Sequence, residues 1–184
     1  MKLSRMTKQF ILLTFFICTT QTSWAQEALV KAYVSLTPVG DFTAQMKKVT
    51  GTATLEGKKY SAKNIVVDLN SMSTGLELRD DHAKNKYLDT KKFPEAVLIE
   101  ASGEDGKGQG QLKYHGKTNP IKGTYKVLNN GKAIQAEFKI KLSEYDVTGI
   151  KYKGIGVDDE VKIEVTIPVQ AAAPVKAAEP VKKK

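Results

Sequence analysis

The chain is short of the residues on which most enzyme chemistry depends. Its 184 residues include one cysteine, Cys18, and two histidines, His82 and His115. Cys18 lies in an apolar stretch ahead of an expected cleavage site, so the mature chain is expected to hold no disulfide, thiol nucleophile or cysteine metal site. Two histidines leave few ways to build a nucleophile–base pair. There is no Gly-x-Ser-x-Gly turn, His-Glu-x-x-His run or Gly-rich phosphate loop. Asp158-Asp159-Glu160 lacks the spaced oxygen ligands of a calcium loop and reads as the entry to a strand. The expectation is a protein that is not an enzyme and needs neither metal nor cofactor.

Long apolar runs are missing too. The longest N-terminal one, Phe10 to Cys18, spans nine residues, whereas a membrane-crossing helix needs roughly 20. Lys2, Arg5 and Lys8 precede it and Ser23-Trp24-Ala25 follows it, which is the layout of a secretory signal. Cleavage is expected after Ala25, leaving Gln26 first, with the product in the periplasm. A lipoprotein signal would place small residues before the cysteine, but Phe16 and Ile17 stand there. The last stretch, 170–184, is rich in Ala, Pro and Lys without strand or helix period, and is expected to be a disordered tail. Its closing Lys182, Lys183 and Lys184 could make weak contact with an anionic membrane surface. The formal charge of +9 falls to a small, scattered excess once both ends are removed. With no basic stripe interleaved with aromatics, nucleic acid is not an expected partner. What is left, 26–169, is one domain in size, and it is compatible with a homodimer.

Period-two alternation fills that domain. Ile134, Ala136, Phe138, Ile140 and Leu142 oppose Gln135, Glu137, Lys139 and Lys141; Val161, Ile163, Val165, Ile167 and Val169 oppose Lys162, Glu164 and Thr166. Weaker alternations start at Val30, Val49, Ile65, Gln111 and Ile121. Ala96 to Ile99 is apolar on both sides and is expected to be covered on both faces. Asn129-Asn130-Gly131 and Glu56-Gly57-Lys58 suit tight turns that need positive φ; Gly103 to Gly108 reads as a longer, flexible connection. One segment departs from this pattern. Ala83, Tyr87 and Leu88 keep helical spacing, which predicts a short helix over about 80–90, with Asp80 and Asp81 near its start and Pro94 stopping it. Roughly eight antiparallel strands form either a sandwich or a closed barrel, and alternation alone does not choose between them.

The stretch TGLELRDDHAKNKYLDTKKFPEA (74–96) resembles the signature of the YceI-like proteins. GQGQLKYHGKTNPIKG (108–123) and LSEYDVTGIKYKGIGVDDEVKIEVTIPV (142–169) are similar to two further blocks of that family, in the same order. The resemblance implies an all-β, eight-stranded antiparallel, lipocalin-like barrel with one short helix, exported and enclosing an apolar tunnel. It also implies a ligand: a polyisoprenoid, an isoprenoid quinone or a long acyl chain. The first strands, AYVSLTPVGDFTAQMKKVTG, follow the family pattern only loosely. Burial contributes about 0.8 kcal/mol per methylene, so a tail of about twenty units has a gross driving force near 16 kcal/mol before association costs. Polar anchors would then set orientation at the mouth and are not needed for affinity.

By alternation the inward wall includes Leu69, Leu98, Leu112, Tyr114, Tyr125, Phe138 and Ile140. Periodicity alone reads them as packed core; the resemblance gives them a tunnel role. Met72, Leu76, Leu78, Tyr87 and Phe93 surround the non-strand segment and are candidates for a mouth or lid, Met72 being adaptable enough to pack against an irregular ligand. Arg79, Asp80 and His82 are candidates for holding a headgroup or fixing the lid. The structural alternative is that Asp80 caps the helix and Arg79 pairs with a carboxylate. His115 is expected to face solvent. The rival to a lipid carrier is a stress-protective or protein-interaction module that uses the barrel as a scaffold.

Overall fold

The computed structural model describes residues 27–38, 40–152 and 154–171. The expected leader, with Cys18 in it, and all but the first two residues of the expected tail lie outside them. The strands are β1 Leu29–Thr37, β2 Asp41–Met46, β3 Val49–Thr50, β4 Ala53–Glu56, β5 Lys59–Asp68, β6 Met72–Ser73 and β7 Glu95–Glu104. They continue with β8 Lys107–Tyr114, β9 Lys117–Leu128, β10 Ala133–Lys141, β11 Lys151–Tyr152, β12 Ile155–Val157 and β13 Glu160–Ala171. A helix, α1 Glu77–His82, passes into a π-helical turn over Ala83–Tyr87.

Antiparallel neighbours run in the order β5-β7-β8-β9-β10, and β10 pairs with β13 along nearly its whole length, from Ala133 opposite Pro168 to Lys141 opposite Glu160. The end of β13 then pairs with β4, Val169 opposite Ala53, and this joint is parallel. It closes a ring of seven strands, one fewer than expected and with one parallel pair. The chain from β2 to β4 runs almost without a break along two partners: β2 pairs with β1, while β3 and β4 pair with β5. The earlier part of β13 carries β1 on the edge that β4 later takes over. The result is a closed lipocalin-like barrel.

Turn chemistry sets the register. Asn129, Asn130 and Gly131 all have positive φ (51°, 54° and 89°), as does Gly57 (61°). Gly103 to Gly108 does not form a flexible connection. Strands run to Glu104 and from Lys107, leaving Asp105 and Gly106 (φ 51° and 78°) as a two-residue turn, the geometry with two positive φ values that matches strand twist. His115 and Gly116 (48° and 80°) join β8 to β9 in the same way.

Ala96 to Ile99 is not covered on both faces either. A bulge after Leu98 adds a residue on β7 against β8 and leaves Ile99 exposed. Asn64 on β5 has positive φ at the same level (52°). These two irregularities shift the alternation together, so Ile65 and Ala62 on β5, and Leu98 and Ala101 on β7, all face inward. Sharp bending is also visible at Gly123, where a Cβ would lie 2.2 Å from the Glu137 carbonyl oxygen, and at Gly110, 2.5 Å from that of Glu100. Bare backbone allows the sheet to curl there. Gly123→Ala is therefore expected to destabilise the barrel by about 2 kcal/mol or more, because backbone rather than a yielding side chain must move. Urea unfolding measures this, and a loss under about 0.5 kcal/mol would show that the curl does not need glycine.

Candidate functional site

The inward faces do not meet. They enclose a cavity of about 250 Å³ walled by β1, β2, β5, β7, β8, β10 and β13 and covered at one end by the helical segment. The composition of the wall explains the space. Seven of its residues are alanines, Ala32, Ala44, Ala62, Ala83, Ala96, Ala101 and Ala136, and these short side chains leave the space between the walls unfilled. Only Thr74, Tyr87 and Tyr114 bring a polar side-chain atom to the lining, and none of the lining residues is charged at neutral pH. Such a space disfavours water, which needs two or more polar partners, and favours an apolar guest. A cavity of roughly 150 Å³ accommodates benzene, so this one has room for about ten carbons by the same measure. A tail of about twenty methylene units exceeds that space.

The covering segment is held in two places. Tyr87 donates its hydroxyl to the Lys151 carbonyl at 2.7 Å, joining the helical turn to the strand pair β11–β12. At the other end, the Asp80 carboxylate accepts from the Thr74 backbone N–H at 2.7 Å and from the Thr74 hydroxyl. Arg79 donates from Nε to Thr74 Oγ1 at 2.8 Å and to the Thr74 carbonyl at 2.9 Å, and its guanidinium lies 4.2 Å from the centre of the Phe42 ring. Burial alone would raise the Asp80 carboxyl. The bonds from Thr74 and Ser73, with the Lys84 charge, outweigh that and hold it below its ordinary value of 3.8.

This differs from the reading of Asp80 as a helix cap and Arg79 as one half of an ion pair. The helix begins three residues earlier than predicted, so Asp80 sits inside its first turns, and Leu76 is the N-cap residue without a side-chain cap bond. Helical backbone ends at Tyr87, well before Pro94. A π-type turn closes that end, with Leu88 N–H bonded to the Ala83 carbonyl at 2.9 Å.

The structure brings together Leu69, Leu98, Leu112, Tyr114, Phe138 and Ile140 of the predicted wall, and Met72 and Tyr87 of the predicted lid, around this one cavity. Tyr125 lines a smaller adjoining pocket. Leu76 and Leu78 point away, at 58% and 62% exposure. Phe93 lies outside the lining, its ring 4.2 Å from that of His115. Arg79, Asp80 and His82 are half-buried behind the wall and do not line it.

His115 is not simply solvent-facing. Its Nδ1 is 2.9 Å from the Tyr145 carbonyl, and because a carbonyl only accepts, Nδ1 carries the proton. Asp158, Asp159 and Glu160 are each engaged, with the Thr37 hydroxyl, with Ser143 and with Lys139 respectively. Among the described residues there is no group of three or more His, Cys, Asp or Glu side chains placed to hold a metal.

Several wall residues were missing from the predicted set. Val30, Val34 and Phe42 come from the first strands, and Val161, Ile163, Val165 and Ile167 from β13. The alternations that begin at Val30 and Val161 mark all of these but Phe42. Leu88, Ile150 and Val157 come from irregular or very short elements that carry no period.

Burial pushes the Tyr114 phenol up, so it is protonated at neutral pH and can donate a hydrogen bond to a polar group of a guest. Its ring packs against that of Tyr145, 5.4 Å between centres.

The model of the YceI-like domain matches residues 24–169. A UPF0312 protein of Pectobacterium carotovorum is 30% identical over 113 residues, covering 53% of this chain and 59% of that protein. The chain thus spans less than two thirds of the length of the curated relatives it matches. Among solved structures, BcnA of Burkholderia cenocepacia superposes with a TM-score of 0.62 at 22% identity, over 76% of this chain and 94% of that one. A polyisoprenoid-binding domain from Saccharophagus degradans, implicated in plant cell wall breakdown, gives 0.54 at 15% identity, over 77% and 92%. At these identities the structural likeness speaks for the fold.

Proposed function

The chain belongs to the YceI-like family, and from that membership we infer that it is an exported, non-enzymatic carrier holding one apolar chain inside the barrel. The observation that carries the reading is the cavity itself: inside the barrel, uncharged and lined by apolar atoms apart from three hydroxyl-bearing side chains. A packed scaffold has no need of such a space, since each unfilled void forfeits stability. The name of the Saccharophagus degradans neighbour supports a polyisoprenoid as cargo; an isoprenoid quinone or acyl chain satisfies the same wall. The N-terminal signal pattern supports export to the periplasm with cleavage after Ala25.

Organic extraction of protein purified from the periplasm, followed by mass spectrometry, tests this. A stoichiometric isoprenoid or acyl lipid is expected. Protein that carries none and takes none up from lipid dispersions would sink the reading, and protein found only in the cytoplasm would sink export.

At its π-helical end the Tyr87 hydroxyl ties the helical segment to β11, beside the packing of Ala83 and Leu88 against the core. Tyr87→Phe keeps the ring in the wall and removes only the bond, which is expected to lower stability by about 1 kcal/mol. It should also raise the rate at which a bound fluorescent fatty acid leaves by several-fold in stopped-flow displacement. An unchanged rate would place the exit elsewhere.

A further inference from the structure

Beyond Leu98 and Phe138 lies a second apolar pocket, an annex of about 80 Å³; these two residues, with Ala62, Ala101, Ile134 and Ala136, line both. The annex is floored by three glycines side by side across the sheet, Gly103 opposite Gly108 and Gly108 opposite Gly123. Tyr125 lies over this floor. A Cβ at Gly103 would come within 2.6 Å of its Cε1, and one at Gly108 within 3.9 Å of its Cδ1. Tyr60 meets the Tyr125 ring edge-on, 5.4 Å between centres.

The bare backbone at Gly108 is not forced by strand closure. The nearest backbone atom to a Cβ there is 3.5 Å away, an ordinary contact, in contrast to the collisions at Gly110 and Gly123. At Gly103 and Gly123 a Cβ would meet the Lys107 and Glu137 carbonyl oxygens at 2.9 and 2.2 Å, so it is at Gly108 that the bare backbone leaves a recess, covered by the Tyr125 ring.

We propose that Tyr125 is the specificity-determining residue for chain length, a stop at the far end of the barrel from the helical lid. This rests on the carrier reading. The main cavity admits about ten carbons and the annex about three more by the same scaling; the phenol blocks the rest of the recess. Along β8 the span from Tyr114 to Gly108 is about 20 Å at roughly 3.3 Å per residue, which places Tyr125 at the opposite end of the barrel from the lid. Affinity should rise about fourfold for each methylene that enters the cavity and stop rising once the chain meets the ring.

The test titrates delipidated protein with saturated fatty acids from about eight to about twenty carbons, read by displacement of anilinonaphthalene sulfonate. For the natural chain, affinity is expected to climb and then level off. Tyr125→Ala should move the levelling point to chains several carbons longer. Gly108→Ala, which adds a methyl to the annex floor with ordinary contacts, should move it to shorter chains. If Tyr125→Ala fails to melt cooperatively, Gly108→Ala decides. A levelling point that stays in place in the folded variants overturns the assignment of Tyr125 while leaving the carrier reading intact. Failure of the natural chain to bind any of the acids overturns both.

Discussion

Leu112→Asp is expected to abolish uptake of an apolar chain and to lower stability at neutral pH by about 3–5 kcal/mol. Leu112 is 8% exposed and faces the cavity from the middle of the wall. An ionised carboxylate there meets no cation, since no lining residue is charged, and only the hydroxyls of Thr74, Tyr87 and Tyr114 are available in the wall. It must either ionise unpaired at a cost of several kcal/mol or stay protonated. Its folded-state pKa is then raised above the unfolded value. The native state holds more protons than the unfolded one between the two values, so stability falls as pH rises through that window and is partly regained on acidification towards it.

Ala44→Leu is the companion variant. Ala44 is buried and lines the same cavity, so the larger side chain fills space that is already open. Uptake is expected to fall sharply with no loss of stability, because added methylenes enter a void and not a packed core. Urea unfolding with a fatty-acid binding assay on both variants separates the site from the fold. Undiminished uptake by folded Leu112→Asp would show that the guest lies elsewhere.

Tyr145→Ala is expected to cost about 3–5 kcal/mol, as other large aromatic deletions do, and to lower the melting temperature by roughly 10 °C or more. Tyr145 is 1% exposed and closes a short turn, Leu142–Tyr145, after β10. Its ring packs on Tyr114, and its carbonyl accepts from His115 in the β8–β9 turn. It thus fixes the start of the link 146–150 to the end of β8, and that link supplies Val147 to the core and Ile150 to the cavity wall. Calorimetry checks the loss of stability, and faster release of a bound chain is expected with it. A loss under about 1 kcal/mol would mean that the turn is held by its backbone alone.

Much of the barrel was legible because strand alternation is a local signal. Ile134 to Leu142 and Val161 to Val169 place their apolar residues inward as their period requires. The turns at Asn129-Asn130-Gly131 and Glu56-Gly57-Lys58 form where positive φ was needed. The errors fell where local signals are weak. Four apolar residues at Ala96 to Ile99 looked like a strand buried on both faces, but a bulge produces the same run with Ile99 turned outward. The helix was placed three residues late because Asp80 and Asp81 looked like its acidic start, whereas Asp80 reaches back to Thr74. His115 lies in a turn whose partner, Tyr145, is thirty residues further on, and no local signal marks that bond.

Sequence by itself determined which residues of each long strand share a face, where the chain turns and that the interior is apolar. It carried the family resemblance as well. Only the tertiary structure decided that these faces enclose a space. Closure rests on β13 pairing with β10 on one side and with β1 and then β4 on the other, contacts made across most of the chain. The cavity is what remains where seven alanines from six elements leave the inside of the ring unfilled. Alternation tells inside from outside at each position, whereas volume is a sum over side chains that the fold alone brings together.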